Sequence, residues 1–86
     1  MPLTHELVEE LNVLSHFRSA SSLDGIKVHH SAGDNMVAAA ERLFDKGLIT
    51  QRDGGYLTSL GREVVEHLDL LLRIMNSKHE LPNVPS

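Results

Sequence analysis

The residues of this sequence that could bind a metal ion or titrate near neutral pH are its six histidines. Only His29 and His30 are close in sequence, and neighbouring residues of a strand point to opposite faces, so the two do not readily share one ion. The other four lack the spacing of three or four residues that would bring two of them to one helix face; they are His5, His16, His67 and His79. We therefore expect no metal site and no bound cofactor.

A second set of residues with acid–base chemistry is Glu63, Glu66 and His67, which are close together on a predicted helix. Glu63 and His67 are four residues apart, which is the spacing of an ordinary exposed side-chain pair. The sequence has no cysteine nucleophile, and it shows neither a serine elbow nor a glycine loop that would hold a phosphate. The sequence therefore predicts a protein that is not an enzyme.

The composition describes a small acidic protein. Its 86 residues suit one domain, and a domain of this size buries only about 60 to 65% of its unfolded surface, so a partner subunit would help. Twelve acids and eight bases give a net charge of −4, whereas domains that bind nucleic acid without sequence preference usually carry a basic surplus. DNA binding would have to depend on local patches of basic residues.

The location of the protein is predicted from features that the sequence lacks. It has no cysteines, and its N-terminus shows no basic start followed by an apolar stretch, so we expect a cytoplasmic protein. The longest apolar run, Met36 to Ala40, is far shorter than the roughly 20 residues that span a bilayer. No membrane partner is expected.

Apolar spacing predicts the elements of the N-terminal half. Thr4 is expected to cap a first helix that ends near Arg18, and Ser21 or Ser22 a short helical turn that stops at Gly25. The alternation from Ile26 to His29 favours a short strand over a helix. Ser31 and Asp34 resemble a capping box, with Gly33 in the first turn, for a helix from about Asp34 to Lys46. The expected buried residues of that helix are Met36 or Val37, Ala40, Leu43 and Phe44.

A hairpin is the clearest prediction of the C-terminal half. Gly47 suits the left-handed end of the preceding helix, and Asp53-Gly54 is a strong signal for a two-residue turn in which both residues have positive φ. We expect the hairpin to span Leu48 to Leu57, and Thr58 to cap a last helix from about Ser59 to Asn76. The pattern predicts a mostly α protein with a small β-hairpin (α+β), with one domain over residues 1–76 and a flexible tail over 77–86.

This order of elements resembles the bacterial winged-helix regulators, the MarR-like and PadR-like families among them. In those families a "Gly-Leu-Ile, turn, Leu-Thr, two residues, Gly" run joins the recognition helix to the last helix. Here the run is Gly47-Leu48-Ile49, then Leu57-Thr58, then Gly61. The whole chain also resembles a small family of bacterial proteins of unknown function that are often described as DNA-binding. The resemblance implies a winged-helix domain, with a long C-terminal helix, that binds double-stranded DNA as a transcriptional regulator.

The resemblance also implies which residues would contact DNA, because the helix before the wing enters the major groove in those regulators. The outward residues of that helix would be Asn35, Ala38, Ala39, Glu41, Arg42, Asp45 and Lys46. Asn35 suits an adenine edge and Arg42 a guanine edge, while Ala38 or Ala39 could meet a thymine methyl group. The implied phosphate contacts are Lys27, His29, His30, Lys46, Arg52 and Arg62.

Three features leave an alternative open. Glu41, Asp45 and Asp53 would repel phosphates. The hairpin contains only one basic residue. No full helix is predicted just before Asp34, where a helix-turn-helix needs one. The same helix face is equally well an ordinary solvated face of mixed charge. The second hypothesis is a winged-helix scaffold that binds another protein and not DNA.

The last helix carries a predicted interface. From Leu68 onward it is apolar in nearly every direction, and Val64, Leu68, Leu71 and Met75 alternate by four, three and four residues, as in helices that face a partner. We expect a homodimer or another protein partner to contact Val64, Leu68, Leu71, Leu72 and Met75. The alternative is a helix that runs through the core of the monomer.

Overall fold

The fold is described by a computed structural model that covers residues 2–18, 25–28 and 32–78. The helices are α1 (His5–Ser15), which continues into a 3-10 turn (His16–Arg18), α2 (Asp34–Asp45) and α3 (Ser59–Met75). The strands are β1 (Ile26–Lys27), β2 (Ile49–Gln51) and β3 (Gly54–Leu57). The predicted α+β class, mostly helical with a long C-terminal helix, is confirmed. The predicted turn at Ser21 or Ser22 and the tail from residue 79 lie outside the described residues.

Two predicted helix caps are confirmed. The Thr4 hydroxyl oxygen accepts a hydrogen bond from the Leu7 amide at 3.1 Å and caps α1. The Thr58 hydroxyl oxygen accepts from the Gly61 amide at 3.0 Å and caps α3. The same hydroxyl donates to the Gly47 carbonyl at 2.6 Å, so Thr58 also joins α3 to the end of α2.

The N-terminal cap of α2 differs from the prediction. The helix is preceded by Gly33 at φ 103°, which is the N-cap itself and not part of the first turn, and no side chain caps the helix. That backbone conformation is open essentially only to glycine, so the turn at Gly33 decides where the helix begins. Ser31, the expected capping residue, lies outside the described residues.

The end of α2 follows the prediction. Gly47 has φ 78°, and its amide donates to the Phe44 carbonyl at 3.0 Å. The Leu48 amide donates to the Leu43 carbonyl, also at 3.0 Å. This pair of hydrogen bonds is the Schellman arrangement, and it turns the chain directly into β2.

The hairpin is present, but its turn is one residue earlier than predicted. Gln51 pairs with Gly54, so Arg52 and Asp53 are the turn residues, and positive φ occurs at Gly54 (131°) and Gly55 (74°). The register shifts between Ile49 and Gln51, as in a β-bulge. A Cβ on Gly54 would lie 2.1 Å from the Ile26 carbonyl oxygen, so the close approach of β1 requires glycine there.

The sheet is antiparallel, and its strand order is β1-β3-β2. The three helices and β2 enclose a core whose buried apolar residues are Val13, Leu14, Phe17, Ala39, Ala40, Leu43, Ile49, Val65 and Leu68. Burial of Ala40 and Leu43 confirms the prediction, and Met36 and Phe44 are partly buried against the core. Gly61 lets α3 approach the hairpin, because a Cβ there would lie 1.9 Å from the Leu48 carbonyl oxygen.

Candidate nucleic-acid interface

The helix before the hairpin, α2, does not present all of its predicted DNA contacts. Asn35 is exposed and Ala38 is half-buried, but Ala39 is completely buried in the core. The prediction that Ala39 faces outward is therefore wrong. Ala39 and Ala40 are both completely buried, so the buried face of α2 is centred closer to Ala39 than periodicity predicted.

Arg42, the predicted base contact, instead binds α1. Its Nε donates to Oε2 of Glu10 at 2.9 Å, and its Nη2 donates to the Glu6 carbonyl at 3.2 Å. Lys46 donates to the other carboxylate oxygen of Glu10. Arg42 of α2 and Lys46 at its C-terminal cap, both predicted DNA contacts, are thus engaged within the protein, because a buried carboxylate requires charged partners.

Glu10 is the residue that sequence reasoning missed. It is only 4% exposed. Its burial raises the pKa of the carboxyl, but hydrogen bonds from Lys46 and Arg42 and the attraction of their charges outweigh burial and hold the pKa below its ordinary value. A signal was available, because Glu10 precedes Val13, Leu14 and Phe17 by three, four and seven positions and therefore shares their helix face.

The outward face of α2 is acidic. Its exposed residues are Asp34, Asn35, Glu41 and Asp45. Three of these four carry carboxylates, which would meet the phosphates on either side of a major groove. The geometry therefore disfavours base reading by this helix.

The hairpin end of the sheet is different, since it brings two exposed cations together. Lys27 of β1 pairs with Gly54, beside the turn that contains Arg52, and the Val28 amide donates to the Asp53 carbonyl at 2.6 Å. The Arg52 guanidinium carbon lies 5.1 Å from the centre of the Phe44 ring, which restricts its position. Among the described residues, no carboxylate lies within ion-pair distance of Lys27 or Arg52.

The remaining predicted phosphate contacts include one exposed residue of the fold and two residues outside its described part. Arg62 is exposed on the first turns of α3, and His29 and His30 lie outside the described residues. Asp53 is exposed at the hairpin turn and reduces the positive charge there.

On α3, the predicted interface residues differ in burial. Leu68 is buried in the core, so its place at the centre of an interface is wrong, and Val64 and Leu72 are half-buried against the core. Leu71 and Met75 are exposed as predicted. Asp69, beside Leu68 in sequence, binds Arg18 at 3.0 Å and joins α3 to the end of the first helical segment. The hydrogen bond from Arg18 and the nearby Arg73 hold the pKa of Asp69 below its ordinary value.

None of the described helices is long and apolar enough to cross a membrane. No curated protein and no solved structure shows significant similarity to the chain. A family model matches residues 1–76, which is most of the 86-residue chain. The chain therefore belongs to that family, a family of unknown function (DUF5669).

Proposed function

We propose that the protein binds double-stranded DNA through the hairpin end of its sheet, by contacts to phosphates, and that α2 does not read bases. The observation that carries this proposal is the pair of Lys27 and Arg52. Both are exposed, Arg52 in the hairpin turn and Lys27 on the strand beside it, and neither is engaged by a carboxylate of the described residues. Cations in such a position attract the phosphates of a duplex regardless of its sequence.

The fold supports a role for the hairpin over one for α2. The hairpin follows α2 directly and precedes the long α3, as the wing does in the regulators that the sequence resembles. Only the six residues 28–33 separate β1 from α2, which is too few for a helix and the turn of a helix-turn-helix. This order of elements supports a wing-like role for the hairpin rather than a base-reading role for α2.

The charges of α2 limit how a duplex can approach. Asp34, Glu41 and Asp45 repel phosphates, so the favourable orientation places the hairpin against the backbone and keeps α2 out of the major groove. Two phosphate contacts per chain give weak binding that depends strongly on salt.

A second candidate function is a protein-binding module that does not bind DNA. The acidic face of α2 and the net charge of −4 favour it. The same measurements distinguish the two candidates, because the second predicts no affinity for any duplex.

Fluorescence anisotropy with a labelled duplex of mixed sequence, at about 20 mM and about 150 mM salt, tests the proposal. We expect binding at low salt, and a large loss of affinity in the double variant Lys27→Ala/Arg52→Ala. Arg73→Ala is the matched control, because it also removes an exposed cation but lies near the far end of α3. The absence of wild-type binding at low salt, or an equal loss in the control per charge removed, would contradict the proposal.

A further inference from the structure

We propose that the outer face of the sheet binds an unpaired base of a single-stranded nucleic acid, with the ring of Tyr56 stacked on the base and Lys27 on the adjacent phosphate. The outer face is defined by Gly25, Lys27, Thr50 and Tyr56, and all four residues are exposed. The inference rests on the proposed function only in its use of Lys27 as a phosphate contact.

Strand alternation places these residues on the side of the sheet that faces away from the core. Ile26 and Val28 pack against the core, so Lys27 between them points to the opposite side. Leu57 also packs against the core, so the adjacent Tyr56 points outward as well. Lys27 and Tyr56 therefore share one face of the sheet.

The tyrosine ring lies across β1 on this face. A Cβ on Gly25 would lie 3.3 Å from Cζ of Tyr56, so the ring occupies the space beside the strand that a side chain at that position would need. Tyr56 nevertheless remains 47% exposed. An aromatic side chain that is held against the backbone and is still half exposed can stack on a planar ring at little cost in conformational entropy.

The cation lies at a suitable distance for the phosphate. Lys27 is two residues from Gly25 along β1, and two residues of a strand span about 7 Å. A sugar bridges a comparable separation between a base and its phosphate, so one nucleotide can contact both side chains. Among the residues that the structure describes, no carboxylate lies within ion-pair distance of Lys27, and its charge is available to a phosphate.

The surroundings of Tyr56 favour a nucleotide over a protein partner. The other side chains of the outer face, those of Lys27 and Thr50, are polar, whereas the centre of a protein interface is apolar. A base needs only the face of one aromatic ring, and its phosphate is complementary to the lysine. Bases inside a duplex are already stacked on their neighbours, so the ring reaches a base only where the strand is unpaired.

Tyrosine fluorescence reports on this contact directly, because the sequence has one tyrosine and no tryptophan. Titration of the full chain with a strand of about ten thymidines, at about 20 mM salt, should quench the emission of Tyr56 as a base stacks on the ring. A blunt-ended duplex with the same number of phosphates should bind without this quenching. Free N-acetyl-tyrosinamide, titrated in parallel, corrects for the light that the nucleic acid absorbs.

Substitution of the ring separates stacking from the phosphate contact. Tyr56→Leu should bind a labelled thymidine strand at least about fivefold more weakly in fluorescence anisotropy, because the base loses its stacking partner. Tyr56→Phe keeps the ring and should retain most of the affinity. Leu60→Ala is the control, since Leu60 is 53% exposed but lies on α3 and outside the outer face. Circular dichroism checks that all three variants keep their helix content.

The outcomes distinguish this site from the proposed function. Unchanged affinity in Tyr56→Leu, or a strand that binds without quenching, would overturn the stacking site and leave the phosphate contacts of the hairpin in place. Quenching by the single strand without any affinity for the duplex would support the stacking site and contradict the proposed function. No binding of either nucleic acid at low salt would overturn both.

Discussion

Nε of Arg42 on α2 lies 2.9 Å from Oε2 of Glu10 on α1. With Lys46 on the other carboxylate oxygen, this contact joins the first helix to the helix before the hairpin. It also explains why α2 has little positive charge to offer a duplex. The residue that the resemblance implied as a base contact has a structural role.

The first prediction concerns this cluster. Glu10→Gln removes the buried charge that Arg42 and Lys46 bind, and both cations are partly exposed, so the loss of stability should be smaller than for a fully buried pair. We expect about 2 kcal/mol less free energy of unfolding, measured by urea denaturation. Glu41→Gln, an exposed carboxylate on α2, is the control and should change stability by less than about 0.5 kcal/mol. Equal effects in the two variants would show that the cluster does not stabilise the fold.

The second prediction is a dependence on pH. The folded protein holds the pKa of Glu10 below its ordinary value, because Lys46 and Arg42 bind the carboxylate. The unfolded chain therefore binds the proton more readily, and the contribution of Glu10 is present above that value and is lost as the pH falls through the lowered pKa. We expect the free energy of unfolding of the wild type to fall more steeply below about pH 5 than that of Glu10→Gln. Parallel curves for the two proteins would contradict this assignment.

The third prediction concerns Thr58, whose hydroxyl caps α3 and donates to the Gly47 carbonyl. Thr58→Ala removes both hydrogen bonds and should cost about 1 to 2 kcal/mol of stability in thermal or urea unfolding. Thr58→Ser keeps the hydroxyl and should lose only a small part of that amount. If serine is as destabilising as alanine, the methyl group and not the hydroxyl is what matters.

The fourth prediction uses the acid at the hairpin turn. Asp53→Asn removes a negative charge beside Lys27 and Arg52 and keeps the backbone carbonyl that binds the Val28 amide. If the hairpin meets DNA, this variant should bind a duplex about two- to tenfold more tightly than the wild type at low salt, in the same anisotropy assay. Asp45→Asn, which removes an exposed acid from α2, should have a smaller effect. A larger gain from Asp45→Asn would place the duplex on α2.

The sequence predicted the features that depend on neighbouring residues. The caps at Thr4 and Thr58 and the helix end at Gly47 each require contacts within a few positions of the chain, so local patterns were sufficient. The hairpin turn lies one residue earlier than predicted because Gly54 is required on β3, where β1 comes close to the backbone. That strand is more than twenty residues away in the sequence, so local patterns do not reveal the contact.

The candidate site was harder to predict because its charges are distributed by long-range contacts. Glu10 and Arg42 are 32 positions apart, and nothing near Arg42 indicates that its guanidinium is already bound. On α3, an all-round apolar pattern does not indicate which side faces the core. The pattern therefore assigns Leu68 and Leu71 to the same interface, although Leu68 is buried in the core and Leu71 is exposed.

The salt dependence of duplex binding tests the central claim most directly. With Lys27 and Arg52 as the phosphate contacts, the slope of log affinity against log salt should be about −2 per bound chain, and Arg52→Ala should halve it. Arg42→Ala should leave the slope unchanged, since its guanidinium is bound to Glu10. A slope near zero, or one that changes with Arg42 and not with Arg52, would contradict binding through the hairpin.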